Sequence, residues 1–248
     1  MKFTNRTPEN WKELQDYVAE YLIGAGYMAL TPHEINTARG KVEVDVYIEA
    51  PYELVKHIVC ECKFWNTPVT KEKIHAFRTV VHDCGAELGI IISKNGYQSG
   101  AIDAAKFSNI RLETWDSFLD IISERWLENK LWTLKTKAAR IMSFSDTYTY
   151  ESERLSTEEH VIYVDICQKI RCVTEQCTFI QKQDLINDTL ILDKFSIKHH
   201  YNDIEQYLDD VSQKLEEALG LLEKLSVKPE KSNRFLSTMK IFMGNYEF

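Results

Sequence analysis

Residues 42–50, VEVDVYIEA, and 57–64, HIVCECKF, decide the fold. Both runs set β-branched or aromatic residues against charged ones at period two, and only the short PYELVK connection separates them. Together they predict an antiparallel hairpin. Folded symmetrically about Glu53, it places Asp45 opposite Glu61 and Glu43 opposite Lys63. Alternation then gathers Glu43, Asp45, Glu61 and Lys63 on one face and sends Val42, Val44, Val46, Cys60 and Cys62 to the other. One face is core and the other carries the charge.

Two carboxylates facing each other across a ladder, with β-carbons about 5 Å apart, repel and weaken the sheet unless a cation lies between them. Magnesium commonly takes one or two carboxylates together with water and phosphate oxygens, which suits an Asp45/Glu61 pair. Lys63, two residues further along the same face, is placed to orient or deprotonate an attacking water. The set fits phosphodiester hydrolysis.

The chain around this hairpin has 248 residues, 44% hydrophobic and 27% charged, with 9 glycines and 5 prolines, so it is a folded globular protein and neither collagen-like nor disordered. Its longest apolar stretches, 89–92 and 160–166, fall far short of the roughly 18 residues of a membrane span. The first residues lack an apolar signal core, so the expected location is cytoplasmic with no membrane partner. Six cysteines without a CxxC pair predict reduced thiols and no structural zinc. A net charge of -8 is the wrong sign for holding nucleic acid by charge alone, so such a role demands a local basic surface or a bound cation.

Working outward, Thr7 and Pro8 predict the start of a first helix that Gly24 and Gly26 end. A second helix is expected from Thr70 to about His82, a buried strand over 88–93, a short helix after Gln98 and a strand from 109. The order α, β, β, α, β, α, β predicts an α/β fold with a mixed central sheet flanked by helices.

Asp45 followed by Glu61-Cys62-Lys63 on the next strand resembles the PD-(D/E)xK nuclease motif. The blocks LQDYVAEYLIGAGY at 14–27, VEVDV at 42–46, IVCECKFWNTPV at 58–69 and GIIISKNGYQSGAIDAAKFSNIRLETW at 89–115 resemble the Mrr-type restriction endonucleases, covering residues of about 8–120. The resemblance implies a restriction-endonuclease-like fold and a Mg2+-dependent endonuclease, with Mn2+ as a substitute, acting on double-stranded DNA in restriction or anti-phage defence. It also implies catalytic roles for Asp45, Glu61 and Lys63, with Gln15 where the family often has a glutamate, and metal-holding positions at Asp45, Glu61 and Cys62. Val44 stands where the motif has proline. Gln15 either points into the site or is a core glutamine bonded to backbone. Glu128-Asn129-Lys130 also spells E-x-K, but on a helical stretch where i and i+2 diverge. The rival reading is a catalytically silent nuclease-like module for DNA binding or protein assembly.

Lys71, His75, Arg78 and His82 recur along one face of the second helix, and Arg39, Lys41 and Lys94 are expected to join them as a DNA-contacting surface. A solvated basic face is the alternative. The domain change is placed near 127–150, giving a nuclease-like domain over 1–126 and a mainly helical accessory domain for targeting or assembly over 127–248. In the latter, Ser156 to Glu159 spells a capping box before a helix of about 157–172. From 203 to 225, Ile204, Leu208, Val211, Leu215, Ala218, Leu222 and Leu225 make a heptad seam. The seam either dimerises the chain or packs against its own domain. His199, His200, Cys167, Cys172 and Cys177 read as structural.

Overall fold

The computed structural model describes residues 2–37, 39–50, 56–145, 150–186 and 201–229. Glu53, about which the hairpin is expected to fold, and His199 and His200 lie outside these residues. The chain divides into two compact units, Arg6–Asn129 and a second made of Met1–Asn5 with Lys130–Phe248.

The first unit opens with α1 (Trp11–Gly24), capped by Asn10, whose side chain accepts from the Glu13 N–H. The cap expected at Thr7 therefore moves three residues on. Strands β1 (Met28–Leu30), β2 (His33–Thr37), β3 (Gly40–Val44), β4 (Val46–Glu49) and β5 (His57–Lys63) follow, then α2 (Lys71–Asp83), β6 (Leu88–Ser93), α3 (Ser99–Ala105) and β7 (Ile110–Thr114). The sheet runs β1-β4-β5-β6-β7, antiparallel across β1, β4 and β5 and parallel across β5, β6 and β7. This is the mixed α/β architecture of a restriction-endonuclease-like domain.

The run expected as one strand over 42–50 is broken at Asp45. The β4–β5 ladder pairs Val46 with Cys60 and Glu49 with His57, the expected register, and ends one residue short of Asp45 and Glu61. Upstream of the break, β3 leaves this sheet and pairs with β2, so Glu43 faces Glu34 and not Lys63. Strand alternation resets at the break. Val44 consequently packs in the same core as Val59, Ile74, Phe77 and Ile91, not on the face opposite Asp45.

Both faces of the sheet are covered. α2 and α3 close one face over Val59 and Ile91, while Val46, Ile48 and Cys60 on the other are fully buried and α1 lies against β1, β4 and β5. Gly89 permits the tight side of this packing. A β-carbon there would stand 2.5 Å from Val81 and 2.7 Å from Ile110, closer than real side chains approach.

The division between units falls within α4 (Trp115–Met142), one unbroken helix through the start of the stretch where the domain change is expected. The second unit adds α5 (Thr157–Phe179), α6 (Lys182–Ile186) and α7 (Ile204–Leu222). The Ser156–Glu159 capping box is present, with both reciprocal bonds made. The heptad seam is consumed inside this unit: α7 packs on α5, and Leu208, Leu215 and Leu222 have no exposed surface. Salt bridges from Lys130 to Asp209 and from Lys137 to Glu216 line its flank. The 203–225 helix is therefore not a free dimerisation face. Among the described residues no helix is long and apolar enough to cross a membrane.

Candidate active site

Asp45 sits where β3 ends and β4 begins, a point at which its carboxylate is released from any strand ladder. One oxygen, Oδ2, accepts the backbone N–H of Cys62 at 2.7 Å. Its backbone carbonyl accepts from Gln15 Nε2 at 2.8 Å. Gln15 is 3% exposed on the inward stripe of α1, so of its two possible readings the backbone-bonded core glutamine is the one found, and the backbone it holds is that of Asp45. The side chain positions the site from behind.

Glu61 extends from β5 on the Val59 face and pairs with Lys63 Nζ, both side chains being mostly buried. Burial pushes the Glu61 carboxyl above its ordinary range. The nearby Asp45 charge adds to the rise, and the Lys63 contact opposes it. Cys62 lies between them, with a side chain that alternation sends to the Cys60 face. Burial also pushes its thiol well up. With the side chain turned to the Cys60 face, the part of Cys62 that lies beside Asp45 is its backbone. Within a strand the N–H and C=O of one residue point to the same edge, so the Cys62 carbonyl opens toward the side where Asp45 lies. Among the described residues no three His, Cys, Asp or Glu side chains converge as a metal cluster. The available donors are two carboxylates and a carbonyl, an all-oxygen set that a hard cation accepts.

The expected basic surface does not form one patch. Arg39, His75, Arg78 and His82 line an open hollow of about 640 Å3 at the C-terminal end of α2, together with Asn109 and Asp83. Arg39 Nε lies 3.1 Å from Asp83 Oδ2. Lys71 stands at the other end of α2, its stem against Gly100 of α3, and does not line the hollow. Lys41 pairs with Glu34 across the β2–β3 hairpin. The Lys94 ammonium lies 4.1 Å from the centre of the Phe64 ring and 3.4 Å from Asn66 Oδ1, beside the segment that leaves Lys63.

Two residues at the site escape a reading by helical stripe or motif. Trp65 has the Lys63 and Lys73 ammonium groups 5.1 and 5.6 Å from its ring centre. The Lys73 charge also acts on Glu61. The available signal was the interleaving of lysine with aromatics in C-K-F-W, whereas Lys73 falls outside the stripe that selected Lys71 and His75.

A mixed sheet that brings Asp45, Glu61 and Lys63 to one place is the arrangement expected of a nuclease-type domain. Residues 8–122 match the Mrr family model described as a restriction endonuclease. No curated protein matches the chain. Of solved structures, a protein of unknown function is 18% identical, with 85% of this chain and 99% of that chain covered at a TM-score of 0.40. The DrdV–DNA complex is 12% identical, with 95% of this chain but 24% of that chain covered at a TM-score of 0.27.

Proposed function

We propose that this protein is a Mg2+-dependent endodeoxyribonuclease, with Mn2+ as a working substitute, that hydrolyses phosphodiester bonds of double-stranded DNA. The setting we assign is cytoplasmic restriction of foreign DNA, including anti-phage defence, with the helical unit serving targeting or assembly. The observation that carries the reading is the junction of Asp45 with the Glu61-Cys62-Lys63 strand, which brings two carboxylates, a backbone carbonyl and an ammonium group together.

These donors fit a divalent cation, because the Glu61 carboxyl, raised chiefly by burial and further by the Asp45 charge, would be favoured in its ionised form by a positive ion nearby. Asp45, Glu61 and the Cys62 carbonyl would hold it. When bound, such an ion polarises the phosphoryl oxygen and offsets charge on the leaving group. The chain's own residues do the positioning. The Cys62 N–H and Gln15 fix the Asp45 carboxylate and backbone, and Lys63 orients the attacking water and balances charge on the phosphate. In the reaction the water oxygen bonds to phosphorus and gives up a proton to solvent, the P–O bond to the leaving strand breaks, and the leaving oxygen takes up a proton from solvent. The hollow of Arg39, His75, Arg78 and His82 offers a second, purely electrostatic hold on the DNA backbone.

Incubating the purified protein with modified and unmodified duplexes, with Mg2+ or with chelator, tests the assignment. Cleavage should need the cation and disappear in Asp45→Asn. Cleavage that persists in chelator or in that variant overturns it.

A further inference from the structure

The segment that leaves the site after Lys63 carries a composition that hydrolysis of a duplex does not call for. Phe64 and Trp65 follow directly, and three lysines from three different elements close on them: Lys63 and Lys73 beside the indole, Lys94 beside the Phe64 ring. Trp65 is 36% exposed, so part of its ring faces solvent. The segment is braced for its size. Asn95 Nδ2 donates to the Trp65 carbonyl at 2.9 Å and the Lys94 N–H donates to the Lys63 carbonyl at 3.0 Å, so the turn after β6 fixes the backbone that presents the indole.

An exposed ring fixed by backbone bonds and ringed by ammonium groups is the combination by which proteins hold unpaired nucleotides. The bases stack on the aromatic face and the cations track the phosphates, without regard to sequence. Bases inside B-form DNA are already stacked on each other and meet such a ring only at the cost of unstacking. A lysine beside an exposed indole is held only weakly and can turn to a phosphate when a base arrives. Because Lys63 serves both the catalytic group and the indole, a base on Trp65 would belong to a nucleotide next to the scissile phosphate.

We infer that Trp65, with Lys73 and Lys94, is a stacking platform for an unpaired nucleotide, and that the substrate class of this site is DNA carrying unpaired bases beside the cut, such as bubbles, gaps or flaps. The inference rests on the nuclease reading for its position but not for its test. Binding is measured in chelator, where no cleavage is expected, with DNA containing the fluorescent base 2-aminopurine. The wild-type protein should bind a bubble at least about tenfold more tightly than the fully paired duplex and quench the probe. Trp65→Ala should lose about tenfold or more on the bubble and lose the quenching, with duplex affinity and circular dichroism unchanged. Trp65→Phe should retain most of both signals. Equal wild-type affinity for bubble and duplex, equal weakening of both in Trp65→Ala, or quenching that survives in Trp65→Ala would overturn the platform. If the bubble preference and its loss are found while the Mg2+-loaded protein cuts no DNA, the platform stands and the nuclease reading falls. Cleavage without bubble preference keeps the nuclease reading and removes the platform.

Discussion

The Asp45 carboxylate accepts the backbone N–H of Cys62 at 2.7 Å, joining the point where the β3–β4 run breaks to the C-terminal end of β5. This bond makes Asp45 both a site residue and a structural one, and the two roles separate by substitution. Asp45→Asn keeps an oxygen that can accept the bond and loses the charge. Asp45→Ala leaves a partly buried N–H without a partner, at about 1–3 kcal/mol. Cleavage should vanish in both variants, while denaturant titration should show a stability loss of that size in Asp45→Ala alone.

Gln15 holds the carbonyl of Asp45 from the core, so its replacement should act on turnover and not on DNA affinity. Gln15→Ala removes a buried bond and should cost about 1–3 kcal/mol of stability. Steady-state kinetics should show kcat reduced with KM unchanged. A variant with raised KM and unaltered kcat would place Gln15 in substrate binding instead.

The raised Glu61 carboxyl gives a pH dependence of definite sign. An acid whose folded value lies above its ordinary one contributes stability that is present below the ordinary value of 4.5 and lost as pH rises through the folded value. In chelator, Glu61→Gln should therefore melt at a higher temperature than wild type at pH 7, and the difference should close on acidification. Cation binding requires the ionised form, so Mg2+ affinity measured by calorimetry should begin to fall, on lowering pH, above the range of an ordinary glutamate. Identical melting of the two proteins at pH 7 would remove the basis for this charge strain.

The hollow at the end of α2 predicts opposite effects from two of its residues. Arg78→Ala should weaken duplex binding irrespective of sequence and flatten its salt dependence by about 0.9 in the log–log slope, the effect of one phosphate contact. Asp83→Asn releases Arg39 from its ion pair and should tighten binding. Filter binding across a salt series distinguishes these. Unchanged slopes would return the hollow to a solvated surface.

The buried α7 seam predicts that Leu208→Glu/Leu215→Glu destroys the second unit's packing and leaves no soluble monomer with intact helices. Each charge enters a position with no exposure, at about 4 kcal/mol or more. Limited proteolysis should cut within 130–229 of the variant while sparing 6–129. A protease-resistant variant with reduced sedimentation would instead identify the seam as an assembly face.

Local periodicity carried much of this protein. Alternation in 46–49 and 57–63, joined by a short connection, sufficed for the register that brings Asp45 toward Glu61, because neighbouring strands with a short link have few ways to pair. The capping box at Ser156 and Glu159 was legible for the same reason, its partners being three residues apart. The break at Asp45 was not legible, since VEVDVYIEA alternates without interruption and only the arrival of β2 draws β3 out of the sheet. Nor does spacing along α2 reveal that Lys71 turns to α3, that Lys73 reaches Trp65, or that Arg39 closes a hollow with Arg78. Those contacts join α2 to other segments and not to its own turns. A heptad pattern likewise states that one face of α7 must be covered but not by what, and the packing of α5 on α7 supplied that answer. Periodicity records which side of an element avoids water. The identity of the neighbour that excludes the water is a property of the folded chain.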